Sequence, residues 1–525
     1  MNDSVQKQKS DIAMDAFVSK EKKTHTEGIL LIPRPTNDPL DPLNWPQRKK
    51  YTTLAILCLA AFAGTASSLV NQLAFEVQGK LYRKSPVQMS YSISAAVAGL
   101  AFGPLFFVPL TGIFGRCSTI WWSLVGAVAC NIWAASMIHS NQYNAFVISR
   151  LFAGMLGSVP SILGASTITD LFFLHERGRA FLIFSLSFLL GTVAGPTFGG
   201  FIVEHVDWPV EFWWTVGLQA LALVLVLLFL EETGFNRDGG SAYPARPSSF
   251  MANRIATFFL GTKVVPAMNR SELVHSATAP FAIGLSPVTI LAGTFQLLSF
   301  GWFVMINTLL TVFLQEPEKD GGYGFTPQQN AEFTFSLWFG IILAQIYGHY
   351  LNDWLPLWLS RRYGGVWKPE YRLHTLWLPS FILLPIGLGI SGVALQYHTH
   401  YMVLALGVFL ITFSAMLSVP VAVNYVIECF REHALETSAI MGAYRLTFGL
   451  AIPFFVTPWE KAVGIGWVFG IAAFSSVGAF MLLVLLMLKG HEIRNFSFDG
   501  VASTEEGSKL TEAQVAPVAP VSDFS

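Results

Sequence analysis

The sequence predicts an all-α membrane protein of about twelve transmembrane helices in two six-helix bundles, and three observations predict it. Of the 525 residues, 53% are hydrophobic and only 12% are charged, against roughly 25% charged in an ordinary soluble domain. A water-soluble surface cannot be built from that composition. The apolar residues gather into runs of twenty or more, separated by short segments that hold nearly all the Lys, Arg, Asp and Glu, as repeated bilayer spans do. A polar stretch from Glu231 to about Pro280 then divides the runs into two sets.

Residues 1–50 read as a disordered cytosolic tail, rich in Lys, Asp, Ser and Thr and ending in a Pro-rich string from Pro33 to Pro42. Residues 1–44 are polar and mixed in charge and show no charged start followed by an apolar core and a small-residue cleavage site, so the first span is expected to act as the insertion signal. The N-terminal bundle covers 51–230, with runs near 51–75, 87–111, 118–139, 143–169, 179–203 and 209–230. A cytosolic linker follows over 231–282, marked by Gly239-Gly240. The C-terminal bundle covers 283–488, with runs near 283–314, 331–351, 373–395, 401–428, 434–457 and 463–488. Lys489 opens a polar tail, 489–525, again expected to be cytosolic.

The basic residues set the orientation. With the N-terminus inside, Arg48, Lys49, Lys50, Arg116, Arg177, Arg179, Arg361, Arg362, Arg372, Arg431 and the linker's basic residues all fall on the inner side. The outer loops then hold only Lys80, Arg83, Lys84, Lys319 and Lys461. Both ends are therefore expected to be cytosolic, which leaves the sequons at Asn2, Asn269 and Asn495 out of reach of glycosylation.

Within the spans, polar and flexible residues mark candidate sites. The fifth run contains Gly191, Gly195, Pro196, Gly199 and Gly200, small residues that admit a close neighbour beside a proline that removes one backbone hydrogen bond. Static packing and a moving contact are both open to it. Arg150, with Gly154 and Gly157 behind it, is either an inward-facing charge needing a partner or a side chain that reaches the interface along its own stem. Asp170, Glu176 and Arg177 form a mixed cluster after the fourth span. That cluster could latch helix ends together, with Gly115-Arg116 as its counterpart, or remain a solvated loop. Arg445 interrupts the eleventh run and Glu428 closes the tenth behind Asn424, as a structural pair or as coupling groups. Asn71, Gln72, Gln296, Asn307 and Gln345 could line a cavity between the halves or bond neighbouring helices.

The formal net charge of −1 provides no field for nucleic acid. No GxxxxGK[ST] string offers nucleotide energy, and neither HExxH nor GxSxG occurs. The four cysteines, Cys58, Cys117, Cys130 and Cys429, and the scattered histidines lack metal-ligand spacing. These residues point to a protein that moves a small solute across the bilayer, with no catalysis, cofactor or metal, rather than to a membrane enzyme. A non-transporting receptor is the other class left open.

At these residues the chain resembles the major facilitator superfamily, specifically the fungal twelve-span drug:proton antiporter family and its polyamine-transporter-like relatives. The resemblance runs from about Asn37 to Gly490. It rests on Asn37-Asp38-Pro39 to Asn44-Trp45, on Arg150-x-x-x-Gly154, on Asp170 to Gly178, on Gly191 to Gly200, on Glu231-Glu232-Thr233 and on Pro369-Glu370-Tyr371-Arg372-Leu373. It implies two six-helix bundles related by a pseudo-twofold, a central cavity and alternating access by rocking. The Gly195-Pro196 motif implies the antiporter branch: a monomer in the plasma membrane that exports a small organic compound in exchange for protons, with proton-coupled uptake of a small amine or nutrient as the alternative. One departure stands out. In Val108 to Cys117 only Gly115 and Arg116 keep the usual charged loop, the acidic position being Gly112 and the second basic position Cys117. The resemblance then implies a weakened charge relay, carried by Arg116 and the Asp170 to Arg177 cluster.

Overall fold

The computed structural model describes residues 41–235, 249–259, 270–318, 322–363, 367–430 and 433–494, with a few isolated positions elsewhere. The tail before Asp41 apart from those positions, the middle of the linker, the three sequons and residues 495–525 lie outside the described residues.

Among the described residues, twelve helices are long and apolar enough to cross a membrane. They are α1 (Gln47–Tyr82), α2 (Pro86–Phe114), α3 (Arg116–Ala135), α4 (Ser140–Leu171), α5 (Glu176–His205), α6 (Pro209–Phe229), α7 (Pro287–Gln315), α8 (Pro327–Arg362), α9 (Pro369–Gln396), α10 (Tyr401–Cys429), α11 (Ala434–Val456) and α12 (Ile465–Arg494). Among the described residues the only strand pairing is His25–Thr26 with Ile29–Leu30. An even number of spans puts both ends of the bundle at one face, called here the terminal face; the opposite one is the far face.

Local chemistry places the ends. Ser85 caps α2 in a reciprocal box with Gln88, and Pro86 occupies the first turn, where its missing N–H costs nothing. Gly115, at φ 82°, makes the reversal into α3 that a side chain would resist. Several spans are not regular. The first contains a tight turn at Val70–Ala74, the fourth breaks at Ser158, and the ninth opens with a tight segment at Pro369–Leu376 followed by a wide one at Trp377–Leu383.

The packing repeats between halves. In the first, α1 packs on α5 and α6, α2 on α4, and α3 on α4 and α6; in the second, α7 packs on α11 and α12, α8 on α10, and α9 on α10 and α12. Across the halves, α2 meets α11 and α5 meets α8. Toward the far face a single apolar core runs through both halves, joining Leu69, Val70 and Phe212 to Leu309, Leu337 and Val456. Toward the terminal face it divides into one core per half, around Leu57, Phe172 and Phe184 and around Phe295, Tyr425 and Phe480.

Two expectations from the sequence change. Residues 41–50 are not part of a disordered tail. Asp41 is fully buried, accepting from Thr36 N and Oγ1 and from Leu43 N, while Leu43 is buried and Trp45 joins the N-terminal half's core. The carboxylate satisfies donors of the proline-rich turn, which allows the turn to bury. The linker, in turn, holds two helices, Phe250–Phe258 and Arg270–Gly284. Their apolar residues, such as Phe258 in the N-terminal core and Ile283 in the C-terminal core, seat them on the bundles.

Candidate functional site

At the terminal face, charged side chains stitch helix ends together. Arg116 Nη1 pairs with Asp170 Oδ2, both largely shielded from solvent. Arg177 donates to the carbonyls of Phe172 and Thr169, where the end of α4 leaves acceptors unfilled. Glu176 accepts from Gln47 at 2.9 Å. Glu232, just past α6, accepts from Cys117 N at 3.1 Å and so caps the N-terminus of α3. A Cβ on Gly115 would lie 2.6 Å from that carboxylate. The loop 108–117, which has no acid of its own, is thus met by a carboxylate from just past α6. The C-terminal half has a matching set. Arg372 donates to Glu428 at 2.6 Å, Trp367 adds a bond to the same carboxylate, and Glu370 lies 3.0 Å from Arg494.

At the far face three seams join the halves. Gln72 donates to the carbonyl of Asn307, and Gln315 donates to that of Leu73 at 3.1 Å. The hydroxyls of Thr197 and Thr334 lie 2.6 Å apart, Trp338 donates to Thr197 at 3.0 Å, and Gln328 N reaches Glu204. Tyr91 stacks on Phe454 with ring centroids 4.5 Å apart.

The glycines of α5 divide between two tasks. A Cβ at Gly191 would strike Thr65 and the carbonyl of Phe62, one at Gly195 the carbonyl of Ala66, and one at Gly199 the carbonyl of Val70, all on α1 of the same half. Gly200 alone of the four meets the other half, with Pro327 O at 2.9 Å and Ala331 Cβ at 3.0 Å from such a Cβ. Pro196 lies within the helix between these contacts. Gly154 packs on the backbone of Ala96 in α2.

Between the faces, the N-terminal half holds a buried polar network. Arg150 is fully buried; Nη1 donates to Asn131 Oδ1 at 3.0 Å, Nη2 donates to the carbonyl of Ser67, and the guanidinium lies over the Phe212 ring. Gln219 links Asn131 to the Ser67 hydroxyl. Asn71 donates to Ser92 at 2.9 Å, and Gln78 donates to Glu211 at 2.9 Å. Asn131, Gln219, Gln78 and Glu211 are absent from the sequence reading. Glu211 stands two residues after Pro209 at the margin of an apolar run, where a charge reads as a span end, yet it is fully buried.

The C-terminal half is sparser inside. Gln296 donates to the carbonyl of Ser418 at 2.6 Å, and Gln345 is buried. Arg445 is half-buried, lies over the Phe300 ring at 4.9 Å, and makes no hydrogen bond or ion pair among the described residues. Its predicted partner Glu428 is committed to Arg372 instead, and Asn424 is exposed. A cavity of about 640 Å³ lies beside this region, between α2, α7 and α11, lined by Leu105, Leu297, Ile440 and Tyr444.

Comparison with known proteins agrees with this architecture. A model of the family described as Major Facilitator Superfamily matches residues 52–456. The chain is 28% identical over 468 residues to the efflux pump radE of Floropilus chiversii, covering 87% of this chain and 84% of the relative. It is 26% identical to the MFS transporter cpaT of Aspergillus oryzae, covering 87% and 90%. Among solved structures, the proton:xylose symporter XylE superposes with a TM-score of 0.58 at 14% identity, covering 85% of this chain and 96% of that one. The human organic anion transporter MFSD10 superposes with a TM-score of 0.54 at 15% identity, covering 84% and 100%.

Proposed function

Because the chain belongs to the Major Facilitator Superfamily, we propose that this transporter exports a small organic compound, a drug, toxin or secondary metabolite, in exchange for protons. It works by alternating access as a monomer in the plasma membrane, with both termini cytosolic, so that the terminal face is inner and the far face outer. The observation that carries this reading is the arrangement of the halves. Three seams close the outer face while the apolar core divides toward the inner face. Two bundles joined by polar seams at one face and holding separate apolar cores toward the other are what rocking about a central site requires. Relatives named as efflux pumps support the direction.

Arg445 favours a substrate with an acidic or strongly accepting oxygen, because a charge at mid-membrane without an internal partner gains most from one supplied by a ligand. The test is a screen of labelled compounds in inside-out vesicles from overproducing cells, energised by a pH gradient. Accumulation that an uncoupler abolishes is expected. Accumulation indifferent to the uncoupler contradicts proton coupling, and uptake seen only in right-side-out vesicles contradicts the direction. Tags at Met1 and Ser525 should resist protease added to intact cells, and digestion of either overturns the orientation.

A further inference from the structure

Glu211 is a buried carboxyl group that the network around it does not satisfy. It lies in the first turn of α6, fully buried, with Oε1 accepting from Gln78 and Oε2 without a hydrogen-bond partner among the described residues. Arg150 attracts this carboxyl group through space but makes no hydrogen bond to it. Arg150 spends one nitrogen on Asn131 and another on the Ser67 carbonyl, and its plane rests on Phe212, the residue after Glu211. The other titratable groups around this pocket are Cys130 of α3, beside Arg150, and Tyr82 at the end of α1, whose hydroxyl is bonded to the Met137 carbonyl. The facing residue of α5 is Gly199, which brings no charge. A carboxylate sealed from water with one oxygen unfilled is costly, and a bound proton removes most of that cost.

The bare oxygen also sits at the hinge of the outer seam. A Cβ on Gly199 would lie 3.4 Å from Glu211 Oε2, so this glycine is what covers the carboxyl group. The next residue, Gly200, is the one that packs on Pro327 and Ala331 of α8, and Thr197 one turn earlier meets Thr334. Movement of α5 that parts it from α8 therefore also changes the cover over Glu211.

We propose that Glu211 is a proton-binding site that sets the outer gate: protonated Glu211 holds the gate closed, and ionised Glu211 favours the open gate, where water reaches it. The two equilibria are linked, since whatever binds one conformation better shifts the population toward it. In an exporter driven by proton entry, which this inference takes from the proposed function, a proton from outside would close the gate behind a departing substrate.

The experiment uses the full-length protein in lipid nanodiscs, with its four native cysteines replaced by serine and spin labels at Val206→Cys and Glu332→Cys, both exposed at the outer ends of α5 and α8. On going from acidic to alkaline pH, the spin–spin distance distribution should gain a longer component. Glu211→Gln should show only the short component at every pH. A pH-dependent gate that persists in folded Glu211→Gln overturns the assignment, as does a wild-type gate that ignores pH. A second measurement needs no variant. N,N′-dicyclohexylcarbodiimide, which modifies protonated carboxyl groups in apolar surroundings, should label Glu211 in acid as read by mass spectrometry, and its failure to do so at any acidic pH also overturns the assignment. Failure of the parent reading looks different: wild-type flux would be indifferent to an imposed pH gradient while the gate itself still responded to pH.

Discussion

In the N-terminal half, Arg116 at the start of α3 pairs with Asp170 at the end of α4; in the C-terminal half, Arg372 at the start of α9 pairs with Glu428 at the end of α10. These helices hold corresponding places in the two sets of contacts, so one bond is made twice by a basic residue and a carboxylate. The third partner differs in sign. The end of α6 brings Glu232 to the α3 backbone, whereas the end of α12 brings Arg494 to Glu370. What repeats is a position, not a string. The interiors do not repeat at all, since the first half holds Arg150 in a network of hydrogen bonds and the second holds Arg445 over a single ring. The halves therefore share a scaffold and divide the chemistry: bound charge and a carboxyl group on one side, a free charge on the other.

Replacing the two arginines breaks or sharpens that division most. Arg150→Ala strips the partners from Asn131 Oδ1 and the Ser67 carbonyl, at roughly 1–3 kcal/mol for each buried acceptor left bare. It should lower the melting temperature in detergent and abolish flux. Arg150→Lys keeps the charge without the planar fork and should recover part of both. Arg445→Ala should abolish flux while leaving the melting temperature close to wild type. Equal destabilisation by the two alanines would erase the difference between the interiors.

The glycines of α5 come next. Gly195→Leu drives a side chain into the α1 backbone within one half and should cost roughly 1–3 kcal/mol or more of stability. Gly200→Leu meets the flexible end of Leu73 in its own half and the Pro327 backbone in the other, so it should cost less stability than Gly195→Leu while the labels at Val206→Cys and Glu332→Cys move apart. The clamps are weaker. Both ion pairs keep some solvent contact, so Arg116→Ala and Arg372→Ala should each cost on the order of 1 kcal/mol, and by similar amounts if the two clamps are equivalent.

The smallest effect lies just beyond the far-face end of α11. Burial, with Glu316 nearby and Lys461 opposing, raises the Glu460 carboxyl above its ordinary value of 4.5. A carboxyl group raised on folding binds its proton more tightly in the folded protein. The stability it contributes is therefore present below 4.5 and lost as pH rises through the raised value. Glu460→Gln should flatten that small decline in a melting-temperature profile against pH.

The number of spans was legible in the sequence because bilayer thickness imposes a length of apolar chain that no other pressure produces. Helix ends were less so. The eighth span continues past the last apolar run to Arg362, because long side chains near a helix end reach water from within the helix. The pairing of Arg372 with Glu428 joins residues 56 apart, and nothing local in the chain selects Glu428 over other acids. Gln72 and Asn307 do meet, but through a backbone carbonyl, which side-chain identity cannot foretell. Glu211 escaped because burial at a span margin depends on what covers it, and Gly199 arrives from a different helix.

The division of labour is tested most directly in proteoliposomes loaded with a pH-sensitive dye, using a substrate found by the vesicle screen. A substrate gradient across wild-type protein should drive an opposing proton flux. Glu211→Gln should move no protons, and Arg445→Ala should not exchange labelled for unlabelled substrate. Proton movement undiminished in Glu211→Gln, or exchange undiminished in Arg445→Ala, would contradict the assignment of protons to one half and substrate to the other.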